Sequence, residues 1–471
     1  MLIGIWNIIE KIIEIHKKRD DLMLEFIYNH SPIFVQNLMV SIKGKIFMKQ
    51  RYTQFYYQEL EELRRCEDVF KLQEKRFEDF YYFVIQNSEF YSEKLKKFRK
   101  GITTNDLEKL PIITKEDIRS NIDTIITAPK KKLIKMGTGG STGKSMIFYT
   151  NAYDMSRKIA YLDYFKEQHG VKKGMKRVSV GGKKIIPIKQ KKKVFWRYNR
   201  PLNQLMISAY HADGENLKYY IEKFNEFKPE TLDGFTTVIH RIAKYILENN
   251  VKLNFTPIAI FPTAEALTDE MREDIEKAFR CPVRNQYASS EGAPFITENK
   301  EGKFEINAET GVFEFKKIQG NIYELIVTGF YTTSTPLLRY KIGDSVELEE
   351  PLSKNYKQKD VKIKKIIGRN NDFLQSKEKG IVTNINLSTA IRTLGSEVIE
   401  SQFIQEQLDL VDIYLVVSNT ANKKNLIKKL ESELKIRFGT NTKMNFHFVD
   451  KLFKTKGGKT RFTINNINQG S

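Results

Sequence analysis

The sequence predicts an α/β protein built from a large N-terminal domain of mixed sheets and helices and a small α+β C-terminal domain. Segments typical of strands and of helices alternate from about residue 130 to residue 365, as expected of an α/β domain. The pattern then restarts near Ile366 in a compact tail of about a hundred residues, a usual size for a second domain. The chain has 471 residues, enough for two or more hydrophobic cores.

The first 100 residues or so predict a helical segment with long amphipathic stretches, for example residues 72–85 (LQEKRFEDFYYFVI). At the start of the chain, apolar side chains recur on one face of a predicted helix, and three lysines stand nearby. The apolar residues are Leu2, Ile5, Trp6, Ile9, Ile12 and Ile13, and the lysines are Lys11, Lys17 and Lys18. Such a face is typical of a core or a partner interface. Contact with a membrane surface is the alternative.

Residues 137–145 (GTGGSTGKS) form a loop of glycines and small polar residues. Its end matches a Walker phosphate-binding loop, but Thr138 stands where that loop has its first glycine. Walker and dinucleotide loops open a helix, whereas residues 131–136 and 146–150 both predict strands. The loop therefore joins two strands, and its amides, hydroxyls and lysine are suited to binding a phosphate. A hairpin turn without a ligand is the alternative.

The alternating region and the tail predict a series of shorter elements. In the alternating region we expect helices over residues 215–227, 238–248 and 269–279, and strands over 257–261 and 283–287. In the tail we expect a hairpin of strands 401–405 and 410–417, a helix over 423–438 and a strand over 444–449.

The chain is strongly basic, with a formal net charge of +21. Residues 172–200 contain twelve Lys or Arg and no Asp or Glu. This basic run predicts attraction to an anion, either nucleic acid, acidic lipid, or a phosphorylated carrier or cofactor. A solvated loop is the alternative.

The chain contains two cysteines, Cys66 and Cys281. They are too few for a disulfide framework or a four-thiolate zinc site, which suits a reducing compartment. The sequence shows no apolar run of spanning length and no signal peptide with a small-residue cleavage site. These observations predict a cytoplasmic protein.

Four short motifs follow the glycine-rich loop along the chain. In the second of them, Asp344 follows a glycine, which predicts a carboxylate at a turn, suited to ribose hydroxyls. The motifs are residues 286–292 (QYASSEG), 335–344 (TPLLRYKIGD), 367–372 (IGRNND) and 454–461 (KTKGGKTR). In this order and spacing, together with the loop, they resemble the adenylate-forming superfamily of acyl-CoA synthetases, peptide-synthetase adenylation domains and luciferases.

The N-terminal pattern resembles one branch of that superfamily more closely. Gln73, Phe77 and Tyr81, followed by residues 88–91 (SEFY), are similar to the phenylacetate–CoA ligase branch. That branch includes members associated with capsular polysaccharide and an enzyme that adenylylates a deazaflavin cofactor.

The resemblance implies a domain organisation and a set of site residues. The large AMP-binding domain would cover residues 1–368, and a mobile lid domain would cover 369–471 and rotate about a hinge beside Arg369. The implied catalytic residues are Lys459, Glu291 and Thr142. Glu291 would also help to hold Mg²⁺, and Tyr287 would stack on adenine. The implied nucleotide-binding residues are Thr138, Gly139, Gly140, Ser141, Thr142, Gly143, Lys144, Glu265, Tyr287, Ala288, Ser289, Ser290, Asp344 and Arg369. The substrate pocket would include His211, Phe235 and Thr236; a purely structural histidine is the alternative for His211.

The sequence departs from the family pattern at five positions. Gly139 stands where serine is frequent, Ser145 where proline is usual, Ala288 where glycine is usual and Ser290 where threonine is commoner. At the hinge, Asn371 replaces the usual aspartate, which puts the domain rotation and the thioester step in doubt.

The resemblance implies an enzyme that uses ATP and Mg²⁺ to convert a small carboxylic acid to an acyl-adenylate, with release of pyrophosphate. A thiol of CoA or of carrier-protein phosphopantetheine would then take the acyl group, and the basic run is a candidate place for this anionic acceptor. The close alternative is an adenylyltransferase that leaves AMP on a hydroxyl or acid. A non-catalytic binder of anions or membrane surfaces is the alternative of another class. Nucleic-acid binding is not expected, since no groove-reading or stacking motif is present.

Overall fold

The computed structural model describes residues 19–467 except 99–100, 138–145, 188–189, 191, 213, 355, 370–372, 385–386, 388–389, 392, 395–396 and 456–459. The predicted apolar face of residues 2–13, most of the glycine-rich loop, Asn371 and Lys459 lie outside the described residues.

The N-terminal segment is helical, as predicted. Its helices are α1 (Arg19–His30), α2 (Ile33–Arg51), α3 (Gln54–Arg65), α4 (Val69–Asn87), α5 (Glu89–Lys94), α6 (Lys115–Ser120) and α7 (Ile122–Ile125). The Asp68 carboxylate caps α4 by accepting hydrogen bonds from the amides of Phe70 and Lys71, both at 3.0 Å. The apolar face of α4, including Phe77 and Val84, shares one core with the large antiparallel sheet described below.

The strands on either side of the glycine-rich loop pair antiparallel, which confirms the prediction that the loop joins two strands. The strands are β1 (Ile134–Gly137) and β2 (Ile147–Thr150), with Gly137 opposite Ile147. Residues 130–132 form a 3₁₀ turn, so β1 is shorter than expected. After β2 comes α8 (Ala152–Gln168), which begins two residues after the hairpin.

A five-stranded sheet forms the α/β part of the molecule. Its strands are β3 (Arg177–Gly181), β4 (Trp196–Asn199), β5 (Gln204–Ser208), β6 (Thr231–Phe235) and β7 (Ala259–Thr263), in the order β4-β5-β3-β6-β7. Only the pairing of β4 with β5 is antiparallel; the other three are parallel. Crossover helices α9 (Leu217–Phe227) and α10 (Thr236–Glu248) link β5 to β6 and β6 to β7, and α11 (Asp269–Phe279) follows. These helices were predicted closely, whereas β7 lies two residues later than expected.

The basic run passes through this sheet, so it is not a uniformly solvated loop. Arg197 in β4 is fully buried and donates to Gln36 at 2.7 Å and to Gln190 at 2.8 Å. Arg177 in β3 pairs with Asp233 at 3.6 Å.

A seven-stranded antiparallel sheet lies beside the N-terminal helices. Its strands are β8 (Gln286–Tyr287), β9 (Ile296–Glu298), β10 (Phe304–Ile306), β11 (Gly311–Gln319), β12 (Ile322–Gly329), β13 (Leu337–Leu348) and β14 (Ile363–Arg369). The order is β11-β12-β13-β14-β10-β9-β8. The predicted strand over 283–287 is reduced to β8, and Val283 forms an isolated bridge with Ile260.

The tail folds around its own core, as the restart of the pattern predicts. Short strands β15 (Phe373–Ser376) and β16 (Gly380–Thr383) pair with each other. A four-stranded sheet has the order β19-β18-β17-β20 and packs against α12 (Lys423–Phe438). Its strands are β17 (Val398–Gln407), β18 (Leu410–Val417), β19 (Lys443–Phe448) and β20 (Thr463–Asn465). The α/β fold with a small α+β tail is thereby confirmed, and the exact boundary at residue 368 stays a prediction.

A buried ion cluster ties the N-terminal helices to α8. The Glu59 carboxylate on α3 pairs with Arg157 on α8 at 2.5 Å and with Arg76 on α4 at 2.7 Å, and it accepts a hydrogen bond from Tyr331 at 2.7 Å. Burial opposes ionisation of Glu59, but the two guanidinium groups outweigh it and hold its pKa below the usual value. Because the cluster joins three elements, its integrity is needed for their packing.

We expect Glu59→Gln to lower the free energy of unfolding by about 3–5 kcal/mol, because it leaves buried guanidinium groups without a full counter-charge. Glu61→Gln on the same helix is the matched control, since Glu61 pairs with Arg65 on the exposed surface and should change stability by less than about 0.5 kcal/mol. Urea unfolding followed by circular dichroism measures both variants. Equal losses for the two variants would contradict the role given to the buried cluster.

Candidate functional site

Two residues predicted to bind nucleotide meet in the antiparallel sheet. The Tyr287 hydroxyl, at the end of β8, donates a hydrogen bond to the Asp344 carboxylate in β13 at 2.7 Å. Both side chains are buried. In the sheet order, β14, β10 and β9 stand between these two strands. Strands lie about 4.8 Å apart in a flat sheet, so the contact requires the sheet to curl strongly.

Asp344 lies within a strand and not at a turn, which corrects the expectation from the sequence. The expected glycine bend is nevertheless present, because Gly343 has a φ of 81°. The pairing of β12 with β13 shifts register between Glu324 and Ile326, so the bend is a bulge inside β13. A bulge redirects the following side chain, which explains how a strand residue faces Tyr287.

Arg369 belongs to the same part of the sheet. It is the last residue of β14, and its Cα pairs across the strands with that of Asp344. The structure therefore brings together Tyr287, Asp344 and the backbone of Arg369.

The base of the glycine-rich loop is anchored near the same sheet. The amide of Tyr149 in β2 donates to the Thr335 hydroxyl at 2.9 Å, and that hydroxyl donates to the Tyr149 carbonyl at 3.0 Å. Thr335 precedes β13, the strand of Asp344. The proposed phosphate-binding residues Thr138, Gly139, Gly140, Ser141, Thr142, Gly143 and Lys144 lie outside the described residues.

Residues 288–292, which follow β8 and contain Glu291, form a compact turn that we call the acidic motif. The Ser289 hydroxyl accepts hydrogen bonds from the amides of Gly292 and Ala293 at 3.1 and 2.9 Å. Gly292 has a φ of 106°, and a Cβ at this position would lie 2.4 Å from a methyl carbon of Thr332. Ala288 and Ser289 are partly exposed, Ser290 is exposed, and Glu291 is buried. Only glycine allows the turn to approach Thr332 so closely.

Lys158 was not predicted from the sequence, but it contacts the acidic motif. Its ammonium donates a hydrogen bond to the Ser289 carbonyl at 2.8 Å. Burial lowers the pKa of Lys158 to about 8, and the nearby charges of Glu291 and Asp154 oppose that shift. The sequence contains one indication that Lys158 faces the interior: Asp154, Arg157 and Lys158 lie on the same helical face as Tyr161.

Asp154 holds the first turn of α8 to the turn before β13. Its carboxylate accepts from the Thr333 hydroxyl at 2.8 Å and from the Ser334 amide at 3.1 Å. Burial raises the pKa of Asp154 although these donors favour the ionised form. Helix α8 thus contacts both the acidic motif and the segment that leads to Asp344.

The predicted pocket residues lie at the carboxyl ends of the parallel strands. Phe235 and Thr236 are buried where β6 meets α10. The Glu265 carboxylate, just after β7, accepts from the Thr237 amide at 2.8 Å and hydroxyl at 2.9 Å. It therefore stabilises the start of α10, where a negative charge is favourable. Carboxyl ends of parallel strands are the usual position of ligands in α/β sheets.

His211 follows β5 and is held by several contacts. Its ring nitrogen Nδ1 lies 2.8 Å from the Ser208 hydroxyl, and the ring stacks on Phe195 at 5.1 Å. The neighbouring carbonyl of Ala212 accepts from Arg241 on α10 at 2.8 Å. Arg241 also pairs with Glu400 of β17 at 2.7 Å. One guanidinium thus joins the His211 segment to the C-terminal sheet.

Lys459, the predicted catalytic lysine of the tail, lies between two residues that pair with each other. Lys454 and Thr460 form an isolated antiparallel bridge, so the residues between them, including Lys459, connect two paired positions. Lys459 itself, like Asn371, lies outside the described residues.

In the described part of the chain, no group of three or more His, Cys, Asp or Glu side chains is arranged to hold a metal ion. None of its helices combines the length and the apolar character that crossing a bilayer requires. A cleft of about 900 Å³ is lined mainly by α3 and α4, with Tyr153 and Arg157 of α8, and none of the predicted site residues lines it.

Comparison with known proteins identifies the family. The family described as the CapK C-terminal domain matches residues 374–466. Protein CapK of Staphylococcus aureus is 75% identical over 448 residues, covering 94% of this chain and 100% of that protein. The chain belongs to the CapK family.

Solved structures with the same fold are adenylate-forming ligases. The 2-hydroxyisobutyryl-CoA ligase in its postadenylation state, complexed with R3-HIB-AMP, has a TM-score of 0.64 at 13% identity, covering 85% of this chain and 93% of that chain. An anthranilate CoA ligase complexed with anthranoyl-AMP has a TM-score of 0.50 at 13% identity, covering 82% and 79%. This CapK family member therefore has the fold of the adenylate-forming superfamily, as the sequence predicts. The phenylacetate–CoA ligase branch stays a prediction.

The lowered pKa of Lys158 predicts a pH dependence of stability. Between pH 8 and the ordinary value of 10.5, the unfolded chain binds more protons at Lys158 than the folded chain, so stability rises with pH. Below pH 8 the cost of burying the charge is fully present. We expect the unfolding free energy of wild type minus that of Lys158→Met to increase by about 1–3 kcal/mol over this interval. Denaturant unfolding at several pH values measures it; a difference that stays flat through pH 10 would contradict the expectation.

Proposed function

We propose that this CapK family member activates a carboxylic acid with ATP, forming an acyl-adenylate and pyrophosphate, and then transfers the acyl group to a thiol. The observation that carries the proposal is the contact of Tyr287 with Asp344 beside the end of β14, because these residues are distant in sequence and match the nucleotide motifs. The fold, shared with enzymes whose names include CoA ligase and whose complexes contain acyl-AMP, supports it.

In this proposal Tyr287 and Asp344 hold the nucleoside. The tyrosine ring would stack on adenine while its hydroxyl holds one carboxylate oxygen of Asp344, and the Asp344 carboxylate would accept hydrogen bonds from the ribose hydroxyls. Arg369 would reach the nucleotide from the end of β14. The backbone of residues 263–265 would flank the base, since the Glu265 carboxylate is engaged with Thr237.

The phosphates would be held by residues 138–144 and by Lys459. Attack of a carboxylate on the α-phosphorus brings two anions together, so cations must offset charge in the transition state. Lys459 would supply such a charge from the C-terminal domain. The reaction otherwise requires placement of the reactants, which is why no Ser-His-Asp or Cys-His set is needed.

The residues present are compatible with Mg²⁺ bound jointly with the nucleotide. Mg²⁺ usually takes one or two carboxylates and completes its shell with water and substrate phosphates. Glu291 is a buried carboxylate in the acidic motif and would be the protein ligand. The ion would stabilise negative charge near the α-phosphate. Lys158 would position this motif through its bond to the Ser289 carbonyl.

The carboxylic acid would lie near His211, Phe235 and Thr236, at the ends of β5 and β6. The thiol acceptor, CoA or phosphopantetheine of a carrier protein, rests on the resemblance and on the names of the structural relatives. Transfer of AMP to a hydroxyl or acid acceptor is the second candidate, favoured by the substitution Asn371 at the hinge. A role in polysaccharide biosynthesis, as implied by the resemblance, is part of the proposal.

Pyrophosphate release across a panel of carboxylic acids tests the first half-reaction. We expect release with at least one acid, and we expect Lys459→Ala to slow it about 10²–10³-fold, because one charge contact to the transition state is lost. Lys456→Ala is the matched control in the same tail and should keep the rate near that of wild type. No release with any acid, or a fully active Lys459→Ala variant, would contradict the proposal. Mass spectrometry with and without CoA separates a thioester from a stable AMP ester.

Asp344→Asn should weaken ATP binding about 10–100-fold, because a hydrogen bond to a charged group is worth about 1.5–3 kcal/mol. Glu347→Gln on the same strand is the control, since Glu347 pairs with Lys364 at the surface and should leave ATP affinity unchanged. Isothermal titration calorimetry measures both dissociation constants. Wild-type ATP affinity in Asp344→Asn would count against this nucleotide site.

A further inference from the structure

Helices α1 and α2 expose large apolar side chains that the proposed reaction does not use. Met23 and Phe26 on α1 are each 63% exposed and Ile27 is 42% exposed, while Phe34 and Leu38 on α2 are 73% and 43% exposed. Single exposed apolar residues are common, but five on two consecutive helices form a group that indicates an interaction surface.

Exposed apolar and basic residues form one stripe along α2. Phe34, Leu38, Lys45 and Lys49 are all exposed, and their spacing places them on the same face of the helix. Beside the stripe, α2 packs against β4, where Gln36 accepts from Arg197 and Ser41 donates to the Tyr198 carbonyl. The stripe therefore runs along the exposed edge of this contact, with its apolar half near α1 and its basic half toward the end of α2.

We propose that the exposed faces of α1 and α2 form a docking surface for an anionic phospholipid bilayer. Apolar side chains would enter the boundary between headgroups and acyl chains, while lysines contact lipid phosphates. A nucleic acid would use the lysines but would leave Phe34 and Leu38 exposed to water. The combination of the two residue classes therefore favours lipid. This proposal is independent of the proposed enzymatic function.

Co-sedimentation of the full-length protein with vesicles tests the proposal. We expect binding to phosphatidylcholine vesicles containing about one-third phosphatidylglycerol and much weaker binding to phosphatidylcholine alone, with a steep loss at high salt. Phe34→Glu with Leu38→Glu, and separately Lys45→Glu with Lys49→Glu, should each lower the vesicle partition coefficient at least about tenfold. All four positions are exposed, so the variants should fold, which circular dichroism verifies.

Matched substitutions on α12 serve as controls. Ile436 is 67% exposed, and Lys424 and Lys428 are exposed as well. One control variant is Ile436→Glu, and the other combines Lys424→Glu with Lys428→Glu, so the same types of substitution are made on a different helix. They should leave vesicle binding close to wild type. Absence of vesicle binding by wild type, equal loss in the α12 controls, or wild-type binding by the Phe34→Glu, Leu38→Glu variant would overturn the proposal. Binding of duplex DNA without vesicle binding would assign the surface to nucleic acid instead.

Discussion

The inward face of α8 holds the three parts of the large domain in register. Arg157 pairs with Glu59 of the N-terminal helices, Asp154 accepts from the turn before β13, and Lys158 donates to the acidic motif. Charged side chains are costly to bury, and each is retained here with a defined partner. Because α8 begins two residues after β2, the same contacts also fix the base of the glycine-rich hairpin. The proposed nucleotide site thus depends on the positioning contacts that α8 supplies.

The proposed nucleotide site also depends on the shape of the antiparallel sheet. Its curl brings Tyr287 and Asp344 together across β9, β10 and β14, and the bulge at Gly343 turns the carboxylate inward. A side chain whose oxygen is already held in place loses little freedom when a ligand arrives. Geometry of this kind suits an enzyme that works mainly by orienting its reactants.

The fold class, the helical N-terminal segment and α9 to α12 could be predicted from the sequence, because helical periodicity is local, whereas α8 was not predicted. The helices over 269–279 and 423–438 agree with the structure to the residue. The bulge at Asp344 could not be predicted, since it depends on the register of β12 against β13. Lys158 was missed for a related reason: its partner, the Ser289 carbonyl, is 131 positions away. The roles of the predicted site residues rest on motif order, and they stay predictions.

Arg241 binds two separate parts of the chain, which affects how the C-terminal sheet could move. Its guanidinium binds Glu400 in the C-terminal sheet and the Ala212 carbonyl next to His211. If the C-terminal sheet moves away from α10, the ion pair of Arg241 with Glu400 must break. Arg241 would then keep only its hydrogen bond to the Ala212 carbonyl. The position of the C-terminal sheet is therefore coupled, through the Arg241 side chain, to the segment that contains His211.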